Sequence, residues 1–155
     1  MANTKDTSLE LLEQTYRELD EILDSFTDEE LLRPSSNVGW SAQDTLAHLA
    51  TIEERTRGQI NAAISGNVWA PAEQINDYNE RVVAARRGVS IKDLRDELTQ
   101  QHLDTMGLLR GTRADDFDKL FDHPRLGRIT LGRMLENTAQ HVRTHSSEIA
   151  AVRAG

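Results

Sequence analysis

The chain contains no cysteine among its 155 residues, which excludes disulfides and any protein thiol acting as a nucleophile or metal ligand. Aromatic residues make up 5% of the chain and hydrophobic residues 37%, so the core must be modest and mainly aliphatic. No apolar run approaches the ~20 residues that span a bilayer. Residues 1–6 are polar, unlike a signal peptide. We therefore expect a cytoplasmic protein that does not enter the membrane.

An excess of positive charge is also missing. The formal net charge is −8 at pH 7, and a surface of that sign repels the phosphate backbone of nucleic acids. Arg81, Arg86 and Arg87 form a local basic cluster, but Glu80 precedes them and Asp93 follows them. We therefore expect no nucleic-acid partner.

Apolar residues recur at intervals of three and four along most of the chain, the spacing that places side chains on one face of a helix. No segment shows a clear period-two strand pattern. The length predicts a single domain over residues 1–155. We predict an all-α fold with long helices at approximately 7–26, 41–66, 90–109 and 130–153 and a connecting helix at 73–87. Residues 111–129 contain glycine and proline and are predicted to be a loop.

Polar residues at the predicted helix starts favour these boundaries. Ser41 is a natural N-cap with Asp44 placed to bond back to it, and Ser90 can cap the third long helix. The sequence pattern at 7–10 predicts a capping box for the first helix. The pattern at 27–30 predicts another for a short turn that follows it.

Histidine interrupts the apolar face of the last helix. His145 lies in that stripe between Val142 and Ile149, and His141 lies one turn earlier on the same side. A pair with this spacing can hold one metal ion, but it also fits a half-exposed pair with one ring packed in the core. His48 lies at the edge of the inner face of the second long helix. A lone histidine at such a boundary is more often a residue with ordinary hydrogen bonds than a metal ligand.

Whether the second and last long helices are in contact decides between metal ligands and ordinary boundary histidines. If the second and last helices are neighbours, three imidazoles can meet and leave one coordination position open. His102, on the third long helix, is a weaker fourth candidate. His123 lies in the predicted Pro/Gly loop and is expected to be solvent-exposed.

Three segments resemble the DinB-like superfamily, which includes the YfiT-like proteins. Residues 40–49, WSAQDTLAHL, are similar to the family segment that opens its second helix. Residues 79–87, NERVVAARR, are similar to part of its middle helices, and residues 141–149, HVRTHSSEI, match its closing His-x-x-x-His-x-x-x-Ile helix. The resemblance extends over nearly the whole chain.

The resemblance implies an up-down-down-up four-helix bundle with a short extra helix in the crossover between the second and third long helices. It also implies a divalent metal held by His48, His141 and His145. Three neutral imidazoles suit zinc, nickel, copper or iron(II) better than magnesium or calcium. We expect zinc, with nickel or iron as alternatives.

Several nearby polar residues have open roles. Trp40 is interpreted as a hydrophobic anchor before the second helix. Asn79 fits either a substrate contact or a loop cap, and Arg86 and Arg87 fit a solvated pair better than an anion site. Each ligand ring needs a partner for its other nitrogen; the candidates near a ligand in sequence are Asp44, Glu53, Asn137 and Glu148.

The resemblance also indicates a function. Relatives include thiol-dependent transferases and isomerases, among them mycothiol-dependent maleylpyruvate isomerase with its related N-terminal domain, and a hydrolase. The implied activity is attack by metal-bound water or a small-molecule thiol cosubstrate on a small electrophile, which makes a small-molecule substrate the expected partner. The sequence identifies no catalytic residue besides the metal ligands, and Glu53 is the one residue considered as a general base.

Two other classes remain open at this point. One is a non-catalytic small-molecule-binding or stress-response protein with a structural or vestigial metal. The other is a metal-free helical dimerisation module. The core is small for the length of the chain, and DinB-like proteins often pair through faces of the bundle. Both points predict a homodimer.

Overall fold

The computed structural model describes residues 3–37, 39–71 and 73–152. The end of the last predicted helix, residue 153, lies outside these described residues. In chain order the elements are α1 (Thr4–Asp24), α2 (Asp28–Leu31), α3 (Ala42–Ser65), α4 (Ile75–Ala84), α5 (Ile91–Arg110), a 3-10 helix (Ala114–Asp118), β1 (Leu120–His123), β2 (Gly127–Thr130) and α6 (Leu131–Ala151). The predicted all-α class is confirmed: α1, α3, α5 and α6 are the four long helices, and α4 is the helix in the crossover.

Local capping sets the helix starts. The Ser41 hydroxyl accepts from the Asp44 backbone N–H, and the Asp44 carboxylate accepts from the Ser41 N–H, both at 3.1 Å. The predicted capping box at 41–44 is therefore confirmed, as is the one at 27–30. The box predicted at 7–10 is wrong. Asn3 caps α1 instead, because its side chain accepts from the Asp6 N–H at 2.9 Å and the helix begins one turn earlier.

Contacts between helix ends define the direction of α1 relative to its neighbours. The Lys5 ammonium donates to the carbonyl of Arg110 at 2.7 Å, so the start of α1 lies beside the end of α5. The start of α6 lies beside the start of α1, and a Cβ on Gly132 would come within 2.6 Å of the Thr4 methyl carbon. Helix α1 is therefore antiparallel to α5 and parallel to α6.

The second pair of long helices completes the topology. Gln43, at the start of α3, donates to the carbonyl of Val89 just before α5 at 2.6 Å, so these helices begin at the same end of the bundle. Since α5 runs opposite to α1, α3 does too, and α3 packs against α6 in an antiparallel sense. The order is up-down-down-up, as predicted.

Two clusters of buried apolar side chains fill the bundle. One contains Leu19, Leu46 and Leu94, and the other contains Ile60 and Phe117. No helix among the described residues combines the length and apolar character of a membrane span.

The loop predicted at 111–129 is wrong, because this segment forms the 3-10 helix and a β-hairpin. Phe121 pairs with Ile129 in the antiparallel ladder, and Gly127 has a φ of +79°, the left-handed conformation that glycine adopts without strain. Each strand is four residues long, too short for a clear period-two pattern. His123 is also not exposed as predicted: it points to the buried side of β1 with an exposed fraction of 7%.

Candidate metal centre

The three histidines predicted to meet do lie together where α3 contacts α6. His48 is buried, with an exposed fraction of 3%, while His141 and His145 are half-buried. The Nε2 atom of His141 lies 3.3 Å from Nε2 of His48 and 3.1 Å from Nε2 of His145. One ligand nitrogen from each ring lies within 4.8 Å of the others. All three rings thus present a nitrogen to one point.

This donor set fits a first-row divalent ion. Zinc–imidazole bonds of about 2.0–2.1 Å in tetrahedral geometry place neighbouring nitrogens roughly 3.3 Å apart. The two Nε2 separations given above, 3.3 and 3.1 Å, are close to that value. Three nitrogen ligands of a tetrahedral ion would leave its fourth position for water or substrate.

Glu148 orients one of the rings. Its carboxylate lies 2.7 Å from Nδ1 of His145, and the same carboxylate oxygen accepts from the side-chain amide of Asn37 at 3.0 Å. An acceptor at Nδ1 favours the tautomer whose Nε2 lone pair is free to bind a metal. Of the four candidate partners named from the sequence, Glu148 is the one that hydrogen-bonds to a ligand ring.

Asn79 of α4 is close enough to His48 to affect its titration. The Asn79 side chain raises the pKa of His48, against the larger opposite effect of burial. The His48 Nδ1 and Asn79 Oδ1 atoms are both buried, and neither has a hydrogen-bond partner among the described residues. Because buried polar atoms normally find partners, the Asn79 oxygen is a candidate acceptor for Nδ1–H of His48. Asn79 lies within α4 and is therefore not a loop cap, while the substrate contact considered for it stays a prediction.

Burial keeps His48 and His141 neutral. Burial, together with charge repulsion from the neighbouring His141 and His145 rings, lowers the pKa of His48 to about 3. Burial lowers the pKa of His141 to about 4, assisted by the charges of His145 and Arg125. The neutral form is the one that binds a metal, so at pH 7 these two ligands need lose no proton.

Glu53 and His102 belong to a different polar cluster, between α1, α3 and α5. The two carboxylate oxygens of Glu53 accept from the hydroxyls of Tyr16 and Thr105. Burial raises the pKa of the Glu53 carboxyl. His102 stacks on Tyr16, with ring centroids 3.8 Å apart, so this fourth candidate is not part of the triad.

The remaining candidates have structural roles. Asp44 caps α3 and lies 3.6 Å from Arg87, so it contacts no ligand ring. Arg86 forms a half-buried ion pair with Glu97 at 2.8 Å, an arrangement that the sequence interpretation of Arg86 and Arg87 as a solvated pair did not include. The ring of Trp40 packs against the core and lies 5.4 Å from that of His48, consistent with an anchor.

A cavity of about 720 Å³ opens against the triad, and His48 and His141 form part of its wall. Asn137 also lines it, as does Glu53 at its inner side. A small molecule in this cavity can therefore reach the point on which the three Nε2 atoms converge.

Sequence reasoning missed four other wall residues. Trp69 lies between α3 and α4, outside the predicted helices, and packs so closely on α3 that a Cβ on Gly58 would lie 2.6 Å from its indole nitrogen. Gly58 within a helix was the available signal for this approach. The others are Arg55, His123 and Arg125, which only the packing of α3 and the hairpin brings to the cavity.

A family model described as the DinB superfamily matches residues 11–149. No curated protein matches the chain. Among solved structures, mycothiol-dependent maleylpyruvate isomerase is similar with a TM-score of 0.80 and 15% identity over 96% of this chain. This chain spans 63% of that isomerase.

Two further structures resemble the bundle. YfiT from Bacillus subtilis, described as a probable metal-dependent hydrolase with an unusual four-helix bundle topology, has a TM-score of 0.77 and 21% identity, with coverage of 96% and 85% of the two chains. The colibactin self-resistance protein ClbS, in complex with a dsDNA, has a TM-score of 0.75 and 16% identity, with coverage of 97% and 96%. At these sequence identities the likeness establishes only the fold. The DNA bound to ClbS is therefore a property of that protein, and the absence of a nucleic-acid partner for this chain stays a prediction.

Proposed function

Because the chain belongs to the DinB superfamily, we propose that it is a divalent-metal-dependent enzyme whose metal ligands are His48, His141 and His145. The observation that carries the proposal is the convergence of three Nε2 atoms on one point beside a cavity of about 720 Å³. Zinc fits this donor set, and nickel and iron(II) are the alternatives.

The proposed reaction is attack by water or a small-molecule thiol on a small electrophilic substrate, as a hydrolase or thiol transferase. A bound ion would supply Lewis acidity, lowering the pKa of a water or thiol ligand so that it is a nucleophile near neutral pH. The thiol would have to be a cosubstrate because the chain has no cysteine. The names of two similar structures, a mycothiol-dependent isomerase and a metal-dependent hydrolase, support this class of chemistry.

The chain's own residues prepare the site. Glu148 holds the Nδ1 side of His145, which leaves Nε2 of that ring directed at the common point, and Asn79 is the candidate acceptor for Nδ1–H of His48. Burial keeps His48 and His141 neutral through its lowering of their pKa values. A non-catalytic protein with a structural metal is less well supported, because the cavity gives small molecules access to the ligands.

Metal binding is tested on protein purified without a polyhistidine tag and stripped with a chelator. We expect Zn²⁺ to raise the melting temperature, with a gain that grows with free metal concentration. His48→Ala and His145→Ala should each lose most of this gain, whereas His102→Gln, a histidine outside the triad, should keep it. Equal gains in all four proteins would contradict the proposed site.

An exchangeable position on the metal separates an enzyme from a structural site. Co²⁺-loaded protein should change its visible absorption spectrum when 2-mercaptoethanol is added, because a thiolate enters the fourth coordination position. A spectrum that stays constant at saturating thiol would favour a closed, structural site.

We also propose a cytoplasmic location, a role in stress response and a homodimer. The dimer is the most direct to test, by sedimentation at micromolar concentration. A species of only 17.4 kDa would reject it.

A further inference from the structure

Arg55 of α3 is an unusual part of the cavity wall. Its guanidinium carbon lies 5.0 Å from the ring centroid of Trp69 and 4.8 Å from that of Tyr78, so two aromatic faces hold the charge. Its Nη1 donates to the carbonyl of Glu73 at 3.3 Å. Its Nε is buried without a hydrogen-bond partner among the described residues, and Nη2 has none there either. The donors of this cation are therefore largely unused.

The two carboxylates in the cavity wall are engaged elsewhere. Glu73 is close enough to Arg55 for that charge to help lower its pKa, but its oxygens accept from Arg81 at 2.9 and 3.1 Å. The oxygens of Glu53 accept from two hydroxyls on α1 and α5. Neither carboxylate is thus a dedicated counter-ion for Arg55.

A second cation stands at the hairpin side of the same cavity. Arg125 is exposed and lines the cavity, and its side chain forms no ion pair with the described part of the chain. Arg125 lines the same cavity as His123 and His141, and its charge lowers the pKa of both rings. The cavity wall therefore carries two guanidinium groups, Arg55 and Arg125, that form no ion pair with its own carboxylates, Glu53 and Glu73.

His123 adds a neutral donor. Its Nδ1 accepts from the backbone N–H groups of Arg125 and Leu126 at 3.1 and 3.0 Å. A ring that accepts at Nδ1 carries its proton on Nε2. His123 also lines the cavity, so the hairpin supplies both a fixed N–H donor and a guanidinium there.

From these groups we infer that the cavity binds a small organic carboxylate, which Arg55 and Arg125 receive while the rest of the molecule lies between Trp69 and the triad. The inference rests on the proposed function in one respect only, that the same molecule is the substrate or cosubstrate at the metal. A guanidinium suits a carboxylate because both are planar and the hydrogen bonds are charge-assisted.

The test is succinate binding to the full-length protein, in metal-free and Zn²⁺-loaded forms. The indole N–H signal of Trp69 in ¹H–¹⁵N NMR spectra is the readout. Succinate should shift this signal saturably in both forms, and succinamide, which has the same length without charge, should not. Higher salt should weaken the binding because the exposed part of the interaction is screened.

Variants assign the binding to the arginines. Arg55→Gln should weaken succinate binding about tenfold or more, since hydrogen bonds to charged groups contribute that much to affinity. Arg125→Gln should weaken it as well, and since Arg125 is exposed this variant should fold even if Arg55→Gln does not. Arg128→Gln is the matched control, because Arg128 lies in the same hairpin, pairs with Asp122 at 3.1 Å and does not line the cavity.

Several outcomes would overturn the inference. One is equal binding of succinate and succinamide. Another is succinate binding by Arg55→Gln and Arg125→Gln that is as tight as by Arg128→Gln. A third is binding of inorganic phosphate and not of succinate. Succinate binding that needs Zn²⁺ and ignores both arginines would place the anion on the metal, overturning the inference while leaving the proposed function intact. Arginine-dependent succinate binding without any Zn²⁺ binding would leave the inference intact and remove the proposed function.

Discussion

The carboxylate of Glu148 lies 2.7 Å from Nδ1 of His145, one helical turn earlier on α6. Asn37, from the segment before α3, donates to the same carboxylate at 3.0 Å. The ring of His145 is therefore positioned by its own helix and by a segment distant in sequence. Its Nε2 faces Nε2 of His141 at 3.1 Å.

Glu148→Gln should weaken Zn²⁺ binding by about 10- to 100-fold, the usual cost of changing a partner of a metal-bound histidine. The amide oxygen can still accept from Nδ1, but the negative charge that strengthens the ligand is lost. Affinity is measured by competition with a chelating dye. Glu136→Gln, an exposed change on the same helix, should bind like the parent chain. Identical affinities for both variants would show that Glu148 does not act through His145.

Asn79→Leu should disturb the tautomer of His48. Loss of the amide oxygen removes the candidate acceptor for Nδ1–H and the group that raises the pKa of His48, so a mixture with the Nε2–H form is expected, along with weaker Zn²⁺ binding. The ¹⁵N shifts of the His48 ring in zinc-free protein report the tautomer directly. Asn76→Leu, one turn earlier on α4, is the control. A single unchanged tautomer in Asn79→Leu would mean that other groups orient the ring.

Acid should destabilise the metal-free protein through its buried histidines. The folded-state pKa of His48 is about 3 and that of His102 about 4, both below the value of about 6.5 for an unfolded histidine. As pH falls from 6.5 towards 4, the unfolded chain takes up protons that the folded chain does not, so the free energy of unfolding falls. This contribution is complete above pH 6.5. The free energy of unfolding is measured with urea at several pH values across this range. It should fall less steeply with pH in His102→Gln than in the parent chain, and an equal pH dependence would contradict a neutral buried His102.

Glu53 should show the opposite dependence on pH. Burial raises the pKa of its folded-state carboxyl, so the folded chain holds a proton that the unfolded chain releases as pH rises above about 4.3. Glu53→Gln mimics the protonated form and should keep hydrogen bonds to the hydroxyls of Tyr16 and Thr105. Its free energy of unfolding relative to the parent chain should therefore be more favourable at pH 8 than at pH 5. Equal differences at the two values would show that Glu53 is ionised without penalty.

The hairpin illustrates why part of the site was not predictable. Leu120–His123 and Gly127–Thr130 pair with each other, and a strand of this length carries too few side chains for its alternation to stand out. The burial of His123 depends on which face of β1 meets the bundle. Arg55 and Trp69 became part of a cavity only because a loop folds back onto α3 at Gly58. None of these contacts is local in sequence.

The sequence alone was sufficient for the features that arise within a few residues. The caps at Ser41 and Ser90 depend on hydrogen bonds to the backbone N–H three residues later in the chain. The apolar faces of the helices depend on the helical period of 3.6 residues. Both are therefore visible in the order of residues. The i, i+4 spacing likewise places His141 and His145 on one side of α6. Tertiary structure decided the rest. That His48 meets this pair depends on α3 packing against α6, and that Glu148 rather than Glu53 serves a ligand depends on which way each helix face turns. These choices follow from burying apolar surface over the whole bundle at once, so no short stretch of the chain determines them.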